Sequence, residues 1–300
     1  MLVNLRKRKH GFSPNLYGAL LVFASGVLAA LSNGLVHGLS VKLSVFQLVF
    51  LKTLVAFLVL LIVYFRRVKE IMKTNIIRFH ILKSLFGALG NFFWFGALLY
   101  LPLAQSASLS LTSALFTSIG GWILFQEKFK KLVLTSLIIG FVGVLTVLNP
   151  FNETIEHVYF LLLPLFSALF FSGSSLIIKT ISKSDGSLTT LFYLMLFMCL
   201  FSAPLALWYW QWPQFSDLLR VFLVGLFYIA TQIALIEAYT KAEASFIAPF
   251  KFARFPLNIF SGFIFFFEVP VISTLVGGGL IIFSNVLLIK LEKRKVKSVR

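Results

Sequence analysis

The stretch APFKFARFPLN, residues 248–258, places Lys251, Arg254 and Asn258 inside an apolar run that continues to Phe267. Spacings of three and then four put all three on one face of a helix. A cation at the centre of a bilayer costs from about 2.5 to more than 10 kcal/mol, so such residues usually face a bundle interior or a watery pathway. Pro249 and Pro256 flank the pair. Pro256 leaves the Phe252 carbonyl without its helical donor, and irregular backbone of this kind is tolerated only beside protein or water. Two roles follow: Lys251 and Arg254 hold an anionic group of a ligand, such as a carboxylate, or they cap freed carbonyls and pair structurally. Lys52, deep in another apolar run, faces the same choice, whereas Lys83, a turn into its run, is expected to snorkel to the surface. The run Asn91 to Phe95, with Trp94, together with Phe250, Phe252 and Phe255, can wall a ring or a cation.

The composition specifies the elements that must carry these residues. Of 300 residues, 59% are apolar and 12% charged, with a mean hydropathy of +0.95, far from an ordinary soluble domain. Windows of about 20 apolar residues, enough to cross about 30 Å of hydrocarbon, recur at 14–37, 44–65, 79–99, 104–125, 131–148, 157–180, 187–210, 217–239, 244–267 and 271–290. The runs are continuously apolar, which excludes the alternating strands of an outer-membrane barrel. Arg6 to Lys9 carry the charge of a signal peptide, but the apolar part that follows is too long and more spans come after it, so an uncleaved first helix is expected. The expected fold class is an all-α integral membrane protein of ten transmembrane helices, with a basic arm at 1–13 and a basic tail at 291–300. Short connections leave no room for a soluble catalytic domain, and the single cysteine, Cys199, excludes an internal disulfide and a cysteine metal site.

The net charge of +17 is explained by topology. With both termini on the cytoplasmic side, the opposite side receives only Lys42 and Arg220. Lys52, Lys83, Lys251 and Arg254 fall within spans, and every other Lys and Arg lies on the cytoplasmic side. The surplus also attracts anionic lipid headgroups. The expected setting is the cell inner membrane, multi-pass, with the lipid bilayer as partner and no nucleic acid.

An internal repeat organises the spans. Shifting the chain by 141 positions lays ASLSLTSALFTSIGGWILFQE (107–127) on APFKFARFPLNIFSGFIFFFE (248–268), so that Gly121 meets Gly262 and Glu127 meets Glu268. Lys128, Lys130 and Lys131 follow the first copy, while Val269, Pro270 and Val271 follow the second. Five spans is an odd number, so two five-helix repeats at 14–148 and 157–290 face opposite ways, and the flanking charges flip accordingly. Such inverted-topology repeats place a substrate near the midplane at their interface, with access alternating as one half rocks against the other. Under the same shift Lys251, Arg254 and Asn258 fall on Ser110, Ser113 and Thr117, and Ser106 extends that face by a turn. Symmetry-related polar stripes of this kind line a central cavity, or the small hydroxyl residues pack helices closely.

The segments ALLYLPLAQSASLSLTSALFTSIGGWILFQEKF and EASFIAPFKFARFPLNIFSGFIFFFE resemble the EamA repeat of the drug/metabolite transporter superfamily, over nearly the whole chain. Within it, APFKF and the basic tail look most like the S-adenosylmethionine uptake transporters of intracellular bacteria. The Arg often found early in the second span of that family is Lys52 here. The resemblance implies a secondary transporter of a small carboxylate-bearing or zwitterionic metabolite, with S-adenosylmethionine first and amino acids or riboflavin-like vitamins as alternatives. Read from the buried cations, the two polar stripes and the aromatic run, the candidate binding residues are Lys251, Arg254, Asn258, Ser106, Ser110, Ser113, Thr117, Asn91, Trp94 and Lys52.

Catalytic signatures are missing. His10, His37, His80 and His157 form no cluster, and the sequence has no GxxxxGK[ST], GxSxG or HExxH. No cofactor and no enzyme activity are expected. All acidic residues fall at span ends, in loops or in the tail, so no midplane carboxylate relays protons; Glu237, near the inner end of its span, is the one placed to reach a cavity. This favours exchange or facilitated movement over proton symport. A membrane-embedded lipid translocase or enzyme, which would use Arg66, Arg67 and Arg78 at the inner surface, and a non-transporting sensor are the readings of other classes.

Overall fold

The computed structural model describes residues 13–37, 43–101, 106, 109–127, 131–148, 159–254, 257, 272, 276–280, 282–284 and 286–287, and among them there is no strand. Helix α1, Pro14–His37, opens on a proline whose missing N–H would be unpaired there anyway. Ser13 Oγ accepts from the Leu16 amide at 3.2 Å. Helix α2, Val45–Val63, is capped by Ser44, whose hydroxyl accepts from the Gln47 amide at 3.2 Å. A short helical connection at 65–71 leads to α3, Ile77–Tyr100. Helices α4, Ser113–Phe125, and α5, Lys131–Leu148, complete the first half. The second half begins with α6, Leu162–Ile181, α7, Ser187–Trp208, and α8, Phe215–Lys241, the last opened by a capping box of Gln214 and Asp217. One α-turn at Ala244–Ile247 then passes into a 3-10 helix at Ala248–Ala253.

Five of the described helices, beginning at Pro14, Val45, Tyr159, Ser187 and Phe215, are long and apolar enough to cross a bilayer. Their outer faces leave Leu58, Ile62, Leu169, Leu207 and Leu219 exposed, a surface suited to lipid rather than water.

Two expected spans are not single α-helices. The run 104–125 is interrupted by a turn at Leu111 and Thr112. The Thr112 hydroxyl donates to the Leu109 carbonyl at 2.7 Å, a local bond that competes with the helical ladder, and α4 starts only at Ser113. Ser106 and Ser110 therefore precede α4 instead of extending its face. The run from Ala244 tightens to a 3-10 helix with Pro249 in its first turn. Three residues per turn bring Lys251 and Arg254 into closer alignment than an α-helix would.

The packing closes a ring. Helix α1 lies against α8, α8 against α2, α2 against α7, α7 against α3, α3 against α6 and α6 against α4; the 244–253 segment joins α4 back to α1. These neighbour relations survive exchange of the two halves: α1 against α8 becomes α6 against α3, and α2 against α8 becomes α7 against α3. Helix α5 stands outside, packed on the 3-10 helix. Gly140 makes that approach possible, since a Cβ there would lie 2.5 Å from the Phe252 ring.

A Glu127 clasp closes one end of the ring. Its carboxylate accepts from the Ala244 amide at 3.0 Å and the Ser245 amide at 2.8 Å, and it pairs with Lys179 at the end of α6. Glu127 thus ties the end of α4 to the 244–253 segment and to α6. The start of α3 is held by His80, whose Nε2 lies 2.7 Å from Asp185 Oδ2.

Candidate functional site

The ring encloses a cavity of about 180 Å³, room for several waters at about 30 Å³ each. Each wall follows helical periodicity. Helix α3 contributes Lys83, Gly87, Asn91 and Trp94; α6 contributes Phe171, Ser174, Ser175 and Ile178; α8 contributes Tyr228, Thr231, Gln232 and Leu235. Helix α1 adds Asn33, and the 3-10 region adds Phe250, Lys251 and Arg254. Offsets of three and four recur in every set because one face of a helix meets the interior.

Of the residues singled out in the sequence, Lys52, Asn91, Trp94, Ser110, Ser113, Lys251 and Arg254 line this one cavity. Thr117 sits just behind it, buried, and accepts from Lys251 Nζ at 3.0 Å. Ser106 is buried but lies outside the lining, because the turn at Leu111 and Thr112 takes it off the face it was assigned. Asn258 and Phe255 lie outside the described residues. Phe252 faces away from the cavity, packed over Gly140.

The buried cations differ in how they are held. Lys52 Nζ donates to Asn91 Oδ1 at 2.5 Å and stands over the rings of Phe95 and Tyr228, 4.7 and 4.6 Å from their centroids. Asn91 is itself fixed by donating from Nδ2 to the Gly87 carbonyl at 2.7 Å. Lys251, besides its bond to Thr117, lies 5.5 Å from the Tyr239 ring centroid.

Lys83 departs from expectation. It is 2% exposed and lines the cavity, so it turns inward rather than snorkelling. The reason is its place on α3: it shares the face of Gly87, Asn91 and Trp94, which the ring turns inward. Glu237 also departs. It pairs with Lys241 at 2.7 Å and stays out of the lining, because the inward face of α8 is that of Tyr228, Thr231 and Leu235. Among the described residues no carboxylate lines the cavity, and no group of His, Cys, Asp or Glu is arranged to hold a metal.

A family model described as "EamA-like transporter family" matches residues 16–149 and 158–290, one copy on each half of the ring. The chain belongs to the EamA-like transporter family. A riboflavin transporter of Vibrio cholerae is 28% identical over 290 residues, covering 95% of this chain and 97% of the relative. An S-adenosylmethionine uptake transporter of Rickettsia prowazekii is 25% identical over 288 residues, covering 94% and 96%. The pseudopaline exporter of Pseudomonas aeruginosa is 24% identical, covering 92% and 97%. One solved crystal structure has a TM-score of 0.76 at 18% identity, covering 92% of this chain and 98% of that one, a likeness of fold. As an EamA-like transporter the chain is a multi-pass protein of the cell inner membrane and not an enzyme. In this EamA-like chain, α6 and α8 supply polar lining that the sequence reading passed over. Its signal was present in the sets 171, 174, 175, 178 and 228, 231, 232, 235, but Ser and Thr at such spacing are common in spans that merely pack.

Proposed function

We propose that this EamA-like protein is a secondary transporter that moves a small planar, acceptor-rich metabolite of the riboflavin class through the central cavity. The observation that carries the reading is a cavity lined by Lys52, Lys83, Lys251 and Arg254 together with Trp94, Phe95, Phe171 and Tyr228, with no carboxylate among its described residues. Rings stack on a conjugated tricycle, and ammonium, guanidinium, amide and hydroxyl donors suit ring carbonyls and a polyol chain. Riboflavin transporters among its relatives support the same class.

S-adenosylmethionine is the second reading, favoured by the relatives of that name. Its sulfonium and ammonium outnumber its single carboxylate, so four cations repel it.

Transport proceeds by alternating access between two inverted five-helix halves, in a ten-span protein with both termini cytoplasmic. The ring of neighbours that survives exchange of the halves supports this arrangement. With no carboxylate in the described lining to relay a proton, exchange or facilitated movement fits better than proton symport.

The test is uptake of labelled riboflavin and labelled S-adenosylmethionine, in parallel, into cells lacking both uptake systems and expressing this protein. Riboflavin accumulation that is lost in membrane-inserted Lys251→Ala and Arg254→Ala supports the reading. Accumulation of S-adenosylmethionine alone replaces it with the second.

A further inference from the structure

We propose that the substrate-free cavity binds a small inorganic anion, chloride or phosphate, held by Lys83 and Arg254. The first ground is an imbalance of charge. Among the described residues four basic side chains line the cavity, and the acids are placed elsewhere: Glu70 beside Arg67, Glu127 on Lys179, Asp185 on His80, Glu237 on Lys241, Asp217 in the capping box of α8 and Glu243 at the start of the 244–247 turn.

The second ground is that only some of the cations have partners. Lys52 has Asn91 and Lys251 has Thr117. Among the described residues Lys83 and Arg254 have neither a hydrogen bond nor an ion pair from their side chains, although Lys83 is 2% exposed. For Lys83 this is costly, since a buried charge without a counter-charge is strongly unfavourable; Arg254 is half-buried at the cavity wall. The Thr231 hydroxyl, 6% exposed and on the same lining, likewise has no hydrogen-bond partner. An ammonium, a guanidinium and a hydroxyl are the donors that replace an anion's hydration shell. A neutral metabolite leaves this charge uncompensated, so the anion stays beside it; a substrate carrying its own negative group displaces it.

The experiment uses purified full-length protein in detergent with no organic substrate, so it reads the anion site whatever riboflavin uptake shows. Thermal unfolding is followed while sodium chloride or sodium phosphate replaces sodium gluconate at constant ionic strength. A saturable rise in Tm is expected for chloride, phosphate or both, and comparison of the two arms identifies the anion. In Lys83→Met and Arg254→Gln the half-saturating concentration rises about tenfold or more. Arg67→Gln, which removes an exposed charge paired with Glu70, keeps the wild-type response. If Lys83→Met does not fold, chloride-35 NMR line broadening on the wild type, reversed by phosphate, gives the reading instead. Equal effects of all three salts, or variants that respond as the wild type does, overturn the proposal.

Discussion

Lys251 Nζ and Thr117 Oγ1 lie 3.0 Å apart and join the 3-10 helix of the second half to α4 of the first. Thr117 gives its own proton to the Ser113 carbonyl at 2.7 Å and stands 2.6 Å from the Ser172 hydroxyl. One hydroxyl thus ties three elements at the wall of the cavity. Thr117→Val keeps the shape and removes the acceptor from a half-buried ammonium, so a loss of about 1–2 kcal/mol in stability is expected. Thr117→Ser should stay near wild type. Denaturant unfolding in detergent checks both, and a Val variant as stable as wild type would show that Lys251 does not depend on this bond.

Lys52 is held from two sides, by Asn91 and by two rings. Tyr228→Leu removes one ring face and should cost about 0.5–2 kcal/mol. Tyr228→Phe keeps the face and loses only the hydroxyl that donates to Met198 Sδ at 3.1 Å, so it should cost less. Asn91→Leu strips the acceptor from Lys52, and Asn91→Asp restores one. The expected order of stability, Asp above Leu, is read by thermal unfolding; the reverse order means the lysine is not charged in the folded protein.

Glu127 predicts an acid limb. Burial pushes its carboxyl up, but the hydrogen bonds from Lys179 and Ser245 outweigh burial and hold it below the usual carboxylate range. A carboxylate depressed in the folded state stabilises fully above its unfolded pKa and loses that contribution as pH falls through the folded value. The stability gap between wild type and Glu127→Gln should therefore be widest at neutral pH and shrink on acidification below the usual carboxylate range. Unfolding free energies of both proteins across that window test it. A gap independent of pH would mean the clasp works through shape alone.

Gly140 predicts an overpacking penalty. The Cβ of Gly140→Ala meets the Phe252 ring at 2.5 Å, and forced repacking of this kind costs about 1–3 kcal/mol. Phe252→Leu makes room, so the double variant should lose less than the sum of the singles, a coupling a double-mutant cycle measures. Strict additivity would place the strain elsewhere.

The sequence by itself determined the class of protein and the presence of buried cations. Apolar windows long enough for a bilayer and continuous in hydropathy specify spanning helices, and Lys52, Lys251 and Arg254 cannot leave such windows without breaking them. The break from regular α-helix beside Pro249 was equally legible, because a proline acts locally. What the tertiary structure decided is which face of each helix turns inward. Lys83 lies close enough to a span end to reach the surface, and only the packing of α3 against α6 and α7 sends it into the cavity. Thr231 and Gln232 stand on an α8 face whose direction depends on α1 and α2. The turn at Leu111 and Thr112 removed Ser106 from its assigned stripe through one side-chain bond to Leu109. A sequence records periodicity along each helix, but the direction of a face is fixed only by neighbours distant in the chain. Charge on one lining therefore becomes visible only when the ring is closed.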